Sequence, residues 1–336
     1  MDSFESQVDR ARASADVLRA AIARTIVGQT EMVDQTLWGL VAGGHILLEG
    51  APGLGKTLLV KTLSACLDLQ FSRIQFTPDL MPSDVLGTTV LRSEPSPDGS
   101  RFALHRGPIF SQVVLADEIN RATPKTQSAL LEAMQEGACT IAGQRHELEP
   151  PFFVLATENP IEMEGTYHLP EAQLDRFLLK VLVAPPDEDD MVNILRRTTG
   201  DVPDGPTPVL RAHEVLELRR LCRDIAVAEP VLRYAVRLVG ASDPSRDGAP
   251  DLVRRALRFG GGVRAAQSLV LAAKAMCLLD GRLHVALDDV RRVAPPVLRH
   301  RLIRSFAGEA EGISPDDVVE VLLHEVPLRP DHVERG

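Results

Sequence analysis

The chain has 336 residues, enough for two domains, and its content of 44% hydrophobic and 25% charged residues is typical of a soluble globular protein. No apolar run approaches the ~18 residues that a membrane span needs, which argues against an integral membrane protein. A net charge of −10 and an aromatic content of 4% argue against nucleic-acid binding, because such surfaces are usually basic and often offer stacking aromatics.

The N-terminus and the cysteines indicate the compartment. The segment Met1–Glu5 is acidic and polar, so we do not predict a signal peptide. The cysteines are scattered without metal-ligand spacing, at Cys66, Cys139, Cys222 and Cys277. Cys66 and Cys277 fall in apolar helical patterns, and we expect them in the core. We therefore expect a reducing, cytoplasmic location.

The first half of the chain alternates helical patterns with short apolar strands. Residues 1–42 have helical periodicity, and further helices are predicted at Lys56–Leu67 and Pro124–Glu136. The predicted strands are His45–Leu48, Ser72–Gln75, Val113–Ala116, Phe152–Ala156 and Leu178–Val183. This alternation predicts a parallel sheet that is covered on both faces and binds ligands outside the carboxyl ends of its strands.

The second half shows no strand pattern after the run Pro185–Asp190. Asp187 or Asp189 could cap a helix that ends near Arg197, and residues 200–206 are rich in loop formers. Further helices are predicted at His213–Ile225, Pro230–Val239, Val263–Leu279, Leu287–Ala294 and Pro315–Val326. We therefore predict an α/β domain over residues 1–185 and a smaller all-helical domain over residues 186–336, frayed from Arg329 onward.

A glycine-rich segment after the first strand has the full pattern of a P-loop. It reads Gly50-Ala51-Pro52-Gly53-Leu54-Gly55-Lys56-Thr57 and opens a predicted helix. In such a loop, backbone N–H groups and the helix N-terminus hold phosphates. Lys56 is expected to reach the β- and γ-phosphates of ATP, and Thr57 to place its hydroxyl on Mg²⁺. A chance glycine turn is the alternative, but it does not explain the motifs that follow.

The strand Val113–Ala116 ends in two acidic residues, Asp117 and Glu118, which is the Walker B arrangement. Asp117 would hold Mg²⁺, directly or through water, and Glu118 would polarise the water that attacks the γ-phosphate. Adjacent residues at a strand end point in different directions, so the two carboxylates can have separate roles. Taken alone, a solvated strand end explains the two acids equally well.

A third polar group follows the strand Phe152–Ala156. Asn159 could hydrogen-bond the γ-phosphate or the attacking water, although in isolation a turn-forming asparagine before Pro160 is the simpler interpretation. The P-loop, the acidic pair and Asn159 all come directly after strands, so they can converge at one edge of the sheet.

Beyond these motifs, the chain resembles the MoxR family of AAA+ ATPases over about residues 15–310. The resemblance rests on four runs: Glu118-Ile119-Asn120-Arg121-Ala122-Thr123-Pro124-Lys125-Thr126-Gln127, Leu130-Leu131-Glu132-Ala133-Met134-Gln135-Glu136, Thr157-Glu158-Asn159-Pro160, and Leu169-Pro170-Glu171-Ala172-Gln173-Leu174-Asp175-Arg176-Phe177. The resemblance implies an AAA+ αβα core with a parallel sheet, followed by a smaller helical lid.

The resemblance gives Arg176 the role of an arginine finger. It would enter the ATP site of the neighbouring subunit and stabilise the charge that develops on the γ-phosphate. Without the family pattern, a surface ion pair with Asp175 or Glu171 would be the simpler interpretation.

The resemblance also assigns positions around the nucleotide. Arg264, at the start of a lid helix, looks like the sensor 2 arginine, which could act on the ATP of its own subunit or of a neighbour. Val27 and Gly28 look like the segment that lines the adenine. A solvated arginine and a helix-breaking glycine are the alternatives.

The chain departs from the family pattern at two places. Met163 and His168 stand where glutamine and proline are expected, and Gly260–Val263 replaces a Gly-Ala-Ser-Pro run before Arg264. The catalytic residues are intact, so hydrolysis is still expected. The second departure could loosen the approach of Arg264 to the phosphates.

Two segments match insertions of this branch of ATPases. Leu86–Phe110 contains a predicted polar hairpin around Glu94–Ser100, and Cys139–His146 is a predicted hairpin that turns at Ala142-Gly143. In related ATPases such hairpins face the ring pore or the partner, while passive surface hairpins explain the pattern about as well.

The resemblance implies a Mg²⁺-dependent ATPase that forms a ring, with a hexamer as the expected size. Its role would be chaperone-like: maturation, insertion of a metal or cofactor, or assembly of a client complex. The expected partners are a protein with a von Willebrand factor A domain and a client protein.

Three other functions share these motifs. They are a magnesium-chelatase-type motor subunit, a nucleic-acid motor, and a scaffold that binds ATP but scarcely hydrolyses it. Co-purification with a porphyrin-binding subunit would favour the first and DNA-stimulated hydrolysis the second. Intact Glu118, Asn159 and Arg176 argue against the third.

Overall fold

The computed structural model describes residues 3–91, 102–160, 166–200 and 205–328. The elements up to the last sheet strand are α1 (Phe4–Ala23), α2 (Thr30–Ala42), β1 (Ile46–Glu49), α3 (Lys56–Cys66), β2 (Phe71–Gln75), α4 (Pro82–Leu86), β3 (Gly87–Leu91), β4 (Phe102–Arg106), β5 (Val113–Asp117), α5 (Pro124–Glu136), β6 (Ala138–Ile141), β7 (Gln144–Glu147), β8 (Phe153–Glu158), α6 (Glu171–Leu174) and β9 (Leu179–Leu182). The predicted polar hairpin around Glu94–Ser100, the departure at Met163 and the terminus from Arg329 lie outside these ranges.

The remaining elements lie in the part of the chain that we predict to be the lid, and we refer to that part as the lid. They are α7 (Glu188–Thr199), α8 (Ala212–Asp224), β10 (Ala226–Val227), α9 (Glu229–Ala241), α10 (Asp251–Ala256), β11 (Leu257–Phe259), α11 (Val263–Leu279), β12 (His284–Val285), α12 (Leu287–Leu298), β13 (Ile303–Arg304), α13 (Phe306–Ala310) and α14 (Pro315–Glu325). Within the described ranges, no helix is both long enough and apolar enough to cross a membrane.

The centre of the first part is a five-stranded parallel sheet in the order β2-β5-β8-β1-β9. Every residue of β5 is buried, as expected for a parallel strand with helices on both faces. The five predicted strands are therefore confirmed, with ends that differ by one or two residues. Their carboxyl ends share one edge, which places the segments that follow β1, β5 and β8 side by side.

The N-terminal helical region is divided into two helices. The helical pattern predicted over residues 1–42 is confirmed, as α1, which ends at Ala23, and α2, which begins at Thr30. Gly28 lies in this break with φ +76°, and a Cβ atom there would lie 2.0 Å from Asp190 Oδ2. A side chain at this position would strain the left-handed backbone and would require the Asp190 side chain to move.

The lid contains more than helices. β10 pairs with β12 in parallel, and β11 pairs with β13 in an antiparallel ribbon. These strands have only two or three residues, too few for the alternating pattern that identifies a strand in a sequence. The prediction of an all-helical second domain is therefore corrected, and α10 and α13 are short helices that it omitted.

Side-chain caps begin three helices of the lid, α7, α13 and α14. Of the two predicted caps of α7, Asp187 is the one that accepts the Asp190 N–H, at 2.8 Å. α12 continues through two prolines to Leu298, four residues beyond the predicted end at Ala294.

The apolar core is continuous from α1 and α2 to α11 and α12, so the division of the chain at residue 185 stays a prediction.

The three residues after α12 fasten the lid to the sheet. The Arg301 side chain is only 3% exposed and donates to Asp175 Oδ1 at 2.8 Å. It also donates to the carbonyls of Phe177, at 2.6 Å, and Leu178, at 3.1 Å. His300 Nε2 lies 3.0 Å from the same Phe177 carbonyl. The segment 175–178, which leads into β9, is thus held by buried polar contacts from the lid.

We expect Arg301→Met to lower the free energy of unfolding by about 3–5 kcal/mol, since it removes one member of a buried ion pair and leaves carbonyls without donors. Arg258→Met is the matched control, because Arg258 also joins the lid to this region but forms an exposed pair with Glu171 at 3.2 Å. That control should cost about 1 kcal/mol or less. Equal losses in urea denaturation of the two variants would contradict the buried role of Arg301.

A buried histidine secures the start of the sheet. His45 Nδ1 accepts the Val154 N–H at 3.0 Å, and its Nε2 lies 3.0 Å from the Met134 carbonyl. The ring is therefore neutral with its proton on Nε2, bridging β1, β8 and the end of α5. Burial lowers the pKa of His45 to about 4, and the bond to Met134 opposes this shift only in part.

Acid should therefore weaken the fold. The folded-state pKa of His45 is depressed below its ordinary value of 6.5, so its stabilisation is complete above pH 6.5 and declines as the pH falls toward 4. Between pH 7 and pH 5 the free energy of unfolding should fall by about 2 kcal/mol through this group. His45→Gln should remove that part of the decline, and the exposed His213→Gln should not. Identical pH dependence in wild type and His45→Gln would refute this prediction.

Candidate functional site

The P-loop lies between β1 and α3, as its sequence predicts. Gly53 and Gly55 have φ values of +82° and +81°, and this left-handed backbone lets the loop turn into the first turn of α3. The loop borders a cavity of about 350 Å³. The cavity is lined by Pro52, Gly53, Leu54, Gly55, Lys56, Thr57, Leu58, Asp117, Glu118, Thr157, Glu158 and Asn159. The structure therefore brings together the P-loop, the acidic pair and Asn159.

Lys56 bends back over its own loop. Its ammonium donates to the Gly50 carbonyl and, at 3.2 Å, to the Ala51 carbonyl. Burial lowers the pKa of Lys56, and the nearby carboxylates of Asp117 and Glu118 oppose that shift. An ammonium held by neutral carbonyls at the edge of a cavity is well placed to exchange them for phosphate oxygens.

Asp117 is buried at the end of β5 and is held from both sides. Its Oδ2 accepts from Arg73 Nε at 3.0 Å and Nη2 at 2.7 Å. Its Oδ1 accepts from the Thr157 hydroxyl at 2.6 Å. An ionised carboxylate offers about four acceptor positions, so these three bonds leave room for a further ligand.

Glu118 is held in an unusual conformation. Its φ of +56° is left-handed, which costs a residue other than glycine about 1–2 kcal/mol. The Glu118 N–H donates to Thr157 Oγ1 at 2.8 Å, which stabilises this geometry. Its Oε2 accepts from Gln75 Nε2 and Arg121 Nη1, both at 2.9 Å. The carboxylate is thereby fixed at the cavity by neighbours on two sides.

The oxygen donors fit a magnesium ion bound together with a nucleotide. Thr57 and Asp117 line the same cavity and offer a hydroxyl and a carboxylate, the hard ligands that Mg²⁺ prefers. Among the described residues, no group of three or more acidic, histidine or cysteine side chains could hold a metal alone. Mg²⁺ usually takes one or two protein ligands and completes its shell with phosphates and water, so this arrangement suits it.

An apolar cavity of about 250 Å³ adjoins the phosphate cavity and shares Gly53, Leu54, Gly55 and Leu58 with it. Val27 lines this second cavity opposite Met191 and Ile194 of α7, so it offers a surface for a flat apolar ring. Gly28 lines a separate neighbouring cavity, where its backbone faces α7. Of the two residues predicted to line the adenine, Val27 lines the apolar cavity. Gly28 does not, and lines only the neighbouring cavity.

The two candidate arginines lie elsewhere. Arg176 and Arg264 line another cavity of about 250 Å³, at the junction of the sheet and the lid. Arg264 Nη1 lies 3.6 Å from Asp175 Oδ2, the same carboxylate that pairs with Arg301. None of the P-loop residues lines this cavity. The structure therefore brings the two arginines together but separates them from the phosphate cavity of their own chain.

Several residues that support the site were not singled out from the sequence. Arg73 and Gln75 lie in β2, and their contacts with Asp117 and Glu118 depend on the pairing of β2 with β5. Thr157 belongs to a quoted motif, but its position between the two acids could not be deduced from spacing. One sequence feature could have indicated these supporting contacts: the charged residue Arg73 lies inside a predicted strand.

Family models and a solved structure also relate this chain to AAA ATPases. A family model described as "ATPase family associated with various cellular activities (AAA)" matches residues 45–179, and an AAA lid domain model matches residues 249–322. The chain is similar to a crystal structure of a protein from Cytophaga hutchinsonii, with 40% identity and a TM-score of 0.88. That match covers 96% of this chain and 97% of the other.

Two named relatives identify the family to which this chain belongs within the AAA ATPases. The chain is 42% identical to "Chaperone MoxR1" of Mycobacterium tuberculosis, over 91% of this chain and 80% of that protein. It is 31% identical to "Protein MoxR" of Paracoccus denitrificans, over 86% of this chain and 88% of that protein. The chain belongs to the MoxR family of chaperone-like AAA+ ATPases.

Proposed function

We propose that this ATPase hydrolyses ATP with Mg²⁺ at sites shared between neighbouring subunits of a ring. One observation carries the proposal: Arg176 and Arg264 line a cavity without any P-loop residue, while the phosphate cavity contains neither arginine. An arginine that stabilises charge on a phosphate must reach it, so these side chains would act on the ATP of an adjacent subunit. The ring, with a hexamer as the expected size, supplies that neighbour.

Binding would begin at the P-loop. Backbone N–H groups of residues 50–57 would hold the phosphates, and Lys56 would exchange the carbonyls of Gly50 and Ala51 for the β- and γ-phosphate oxygens. The adenine would occupy the apolar cavity beside Val27. Thr57 and Asp117 would hold Mg²⁺, which supplies positive charge to the phosphate oxygens.

Hydrolysis would use the polar groups opposite the P-loop. Glu118 would orient the attacking water, with its carboxylate positioned by Gln75 and Arg121. Asn159 lines the same cavity and would hydrogen-bond the water or the γ-phosphate. Arg176 of the adjacent subunit would stabilise the charge that develops as the γ-phosphate leaves.

The energy of hydrolysis would be passed to a client protein in the cytoplasm. The β3–β4 hairpin exposes Leu91 and Phe102, which are 69% and 65% accessible, and we propose this hairpin as a contact for the client or the ring pore. The β6–β7 hairpin, which turns at Ala142-Gly143 with positive φ at both residues, is the second candidate contact. The name of the 42% identical relative, "Chaperone MoxR1", supports a chaperone-like role. The partner we propose is a protein with a von Willebrand factor A domain.

The shared site predicts that activity depends on assembly. The rate of hydrolysis per subunit should rise with protein concentration, and EDTA should abolish it. Arg176→Ala should lower kcat by about 10³-fold or more, as for other arginine fingers, because charge on the γ-phosphate loses its stabilisation. Arg176→Ala should still bind a fluorescent ATP analogue with wild-type affinity, since Arg176 is absent from the phosphate cavity of its own chain.

Arg233→Ala is the control for this measurement, because Arg233 is an exposed arginine whose only described ion pair is with Glu229 on the same helix. It should hydrolyse ATP like wild type. A rate that is independent of both concentration and Arg176 would refute the shared site.

A further inference from the structure

The two oxygens of the Asp117 carboxylate have different partners. Oδ2 accepts from two nitrogens of one guanidinium, Arg73 Nε at 3.0 Å and Arg73 Nη2 at 2.7 Å. Oδ1 accepts from the Thr157 hydroxyl at 2.6 Å. Because each carboxylate oxygen has about two acceptor positions, Arg73 fills both positions of Oδ2, and one position on Oδ1 stays open for a further ligand.

The orientation of the Arg73 guanidinium is fixed by a second acceptor. Its Nη2 also donates to Gln75 Oε1 at 2.6 Å, and Gln75 Nε2 donates to Glu118 Oε2 at 2.9 Å. Arg73 and Gln75 are two residues apart in β2, so both side chains leave the strand on the same face. The guanidinium therefore cannot turn away from Asp117 without also losing its bond to Gln75.

Arg73 reaches Asp117 from outside the phosphate cavity. Asp117 and Thr157 line that cavity, and Arg73 does not. The Arg73 side chain is 46% exposed, whereas that of Asp117 is 11% exposed. The ion pair thus closes one oxygen of the carboxylate from the far side and leaves the carboxylate accessible from the cavity.

We infer that Arg73 determines the specificity of the metal site, because it restricts Asp117 to a single-oxygen ligand and thereby favours Mg²⁺ over Ca²⁺. The inference rests on the proposed function, in which Thr57 and Asp117 hold Mg²⁺. The near-ideal octahedral shell of Mg²⁺ suits one oxygen from a carboxylate, or a water held by it, and the open position on Oδ1 provides for either. The larger and more flexible shell of Ca²⁺ often takes both oxygens of a carboxylate, and here Arg73 already occupies the second oxygen.

The charge of Arg73 and the geometry of its two donors have different consequences. A positive charge beside the site repels any divalent cation, so removing the charge alone would strengthen the binding of Mg²⁺ and of Ca²⁺ together. Removing the donors frees Oδ2 and helps only an ion that can use both oxygens. The ratio of the two affinities therefore reports on the geometry.

Binding of a fluorescent, non-hydrolysable ATP analogue tests the inference without relying on hydrolysis. Its dissociation constant is measured with saturating Mg²⁺ and with saturating Ca²⁺, and wild type should bind it more tightly with Mg²⁺. In Arg73→Met, which has an unbranched side chain without donors, this preference should fall about 10-fold, as is typical when an outer partner of a metal ligand is lost. Arg233→Met changes an exposed arginine on α9 and should keep the wild-type preference.

Arg73→Lys separates geometry from charge. A lysine keeps the positive charge but lacks the rigid pair of donors that fills both positions of Oδ2, so its preference for Mg²⁺ should fall toward that of Arg73→Met. If Arg73→Lys keeps the wild-type preference, the charge alone is responsible and the inference is wrong. It is also wrong if wild type binds equally well with either ion, or if Arg73→Met changes both dissociation constants by the same factor.

The same titrations distinguish this inference from the proposed function. If wild type binds the analogue equally well in EDTA, Mg²⁺ and Ca²⁺, the proposed magnesium site is wrong, and the inference with it. If Mg²⁺ strengthens binding in wild type and Asp117→Asn removes that effect, the magnesium site stands. An unchanged preference in Arg73→Met then refutes only the role of Arg73.

Discussion

The buried guanidinium of Arg301 determines how the two parts of this molecule meet. It binds the carboxylate of Asp175 and the carbonyls of residues 177 and 178, so a shift of the turn before β9 relative to the lid would break these bonds. Arg176 lies inside that turn, and Arg264 pairs with the same Asp175 carboxylate. A single buried cation therefore positions both arginines, at a place that its own phosphate cavity does not include.

This arrangement divides the chemistry between two surfaces of one chain. The P-loop, Asp117, Glu118 and Asn159 come from the carboxyl ends of three neighbouring strands, where a parallel sheet collects loops at one edge. The arginines come from the junction with the lid. Under the proposed function, each surface supplies what the other lacks, and a complete site takes two subunits. Because Arg301 bonds the lid to the turn that carries Arg176, the proposed ring would couple the lid position of one subunit to the ATP of the next.

The sequence predicts most of the phosphate cavity because its signals are local. A P-loop, an acidic pair after an apolar strand and a polar residue after another strand each depend on a few neighbouring positions. Their convergence then follows from the rule for parallel sheets. The same reasoning located all five sheet strands within one or two residues.

What the sequence could not predict depends on distant contacts. Thr157 bridges Asp117 and Glu118, and Arg73 binds Asp117, only because β2, β5 and β8 are adjacent. The proximity of Gly28 to Asp190 of α7 likewise joins residues about 160 positions apart. The short lid ribbons carry too few residues to show a pattern. The contact of Arg264 with Asp175, which puts it beside Arg176, also joins residues that are far apart in the chain.

If one active site takes residues from two subunits, two inactive variants with defects on different surfaces should restore activity when they are mixed. Glu118→Gln removes the carboxylate that would orient water, and Arg176→Ala removes the group that would act in the neighbour. Each variant alone should be inactive. In an equal mixture, some interfaces pair an intact Glu118 with an intact Arg176, so turnover should return to a fraction of the wild-type rate. A mixture that stays as inactive as its components, although the two variants co-assemble, would contradict the shared site.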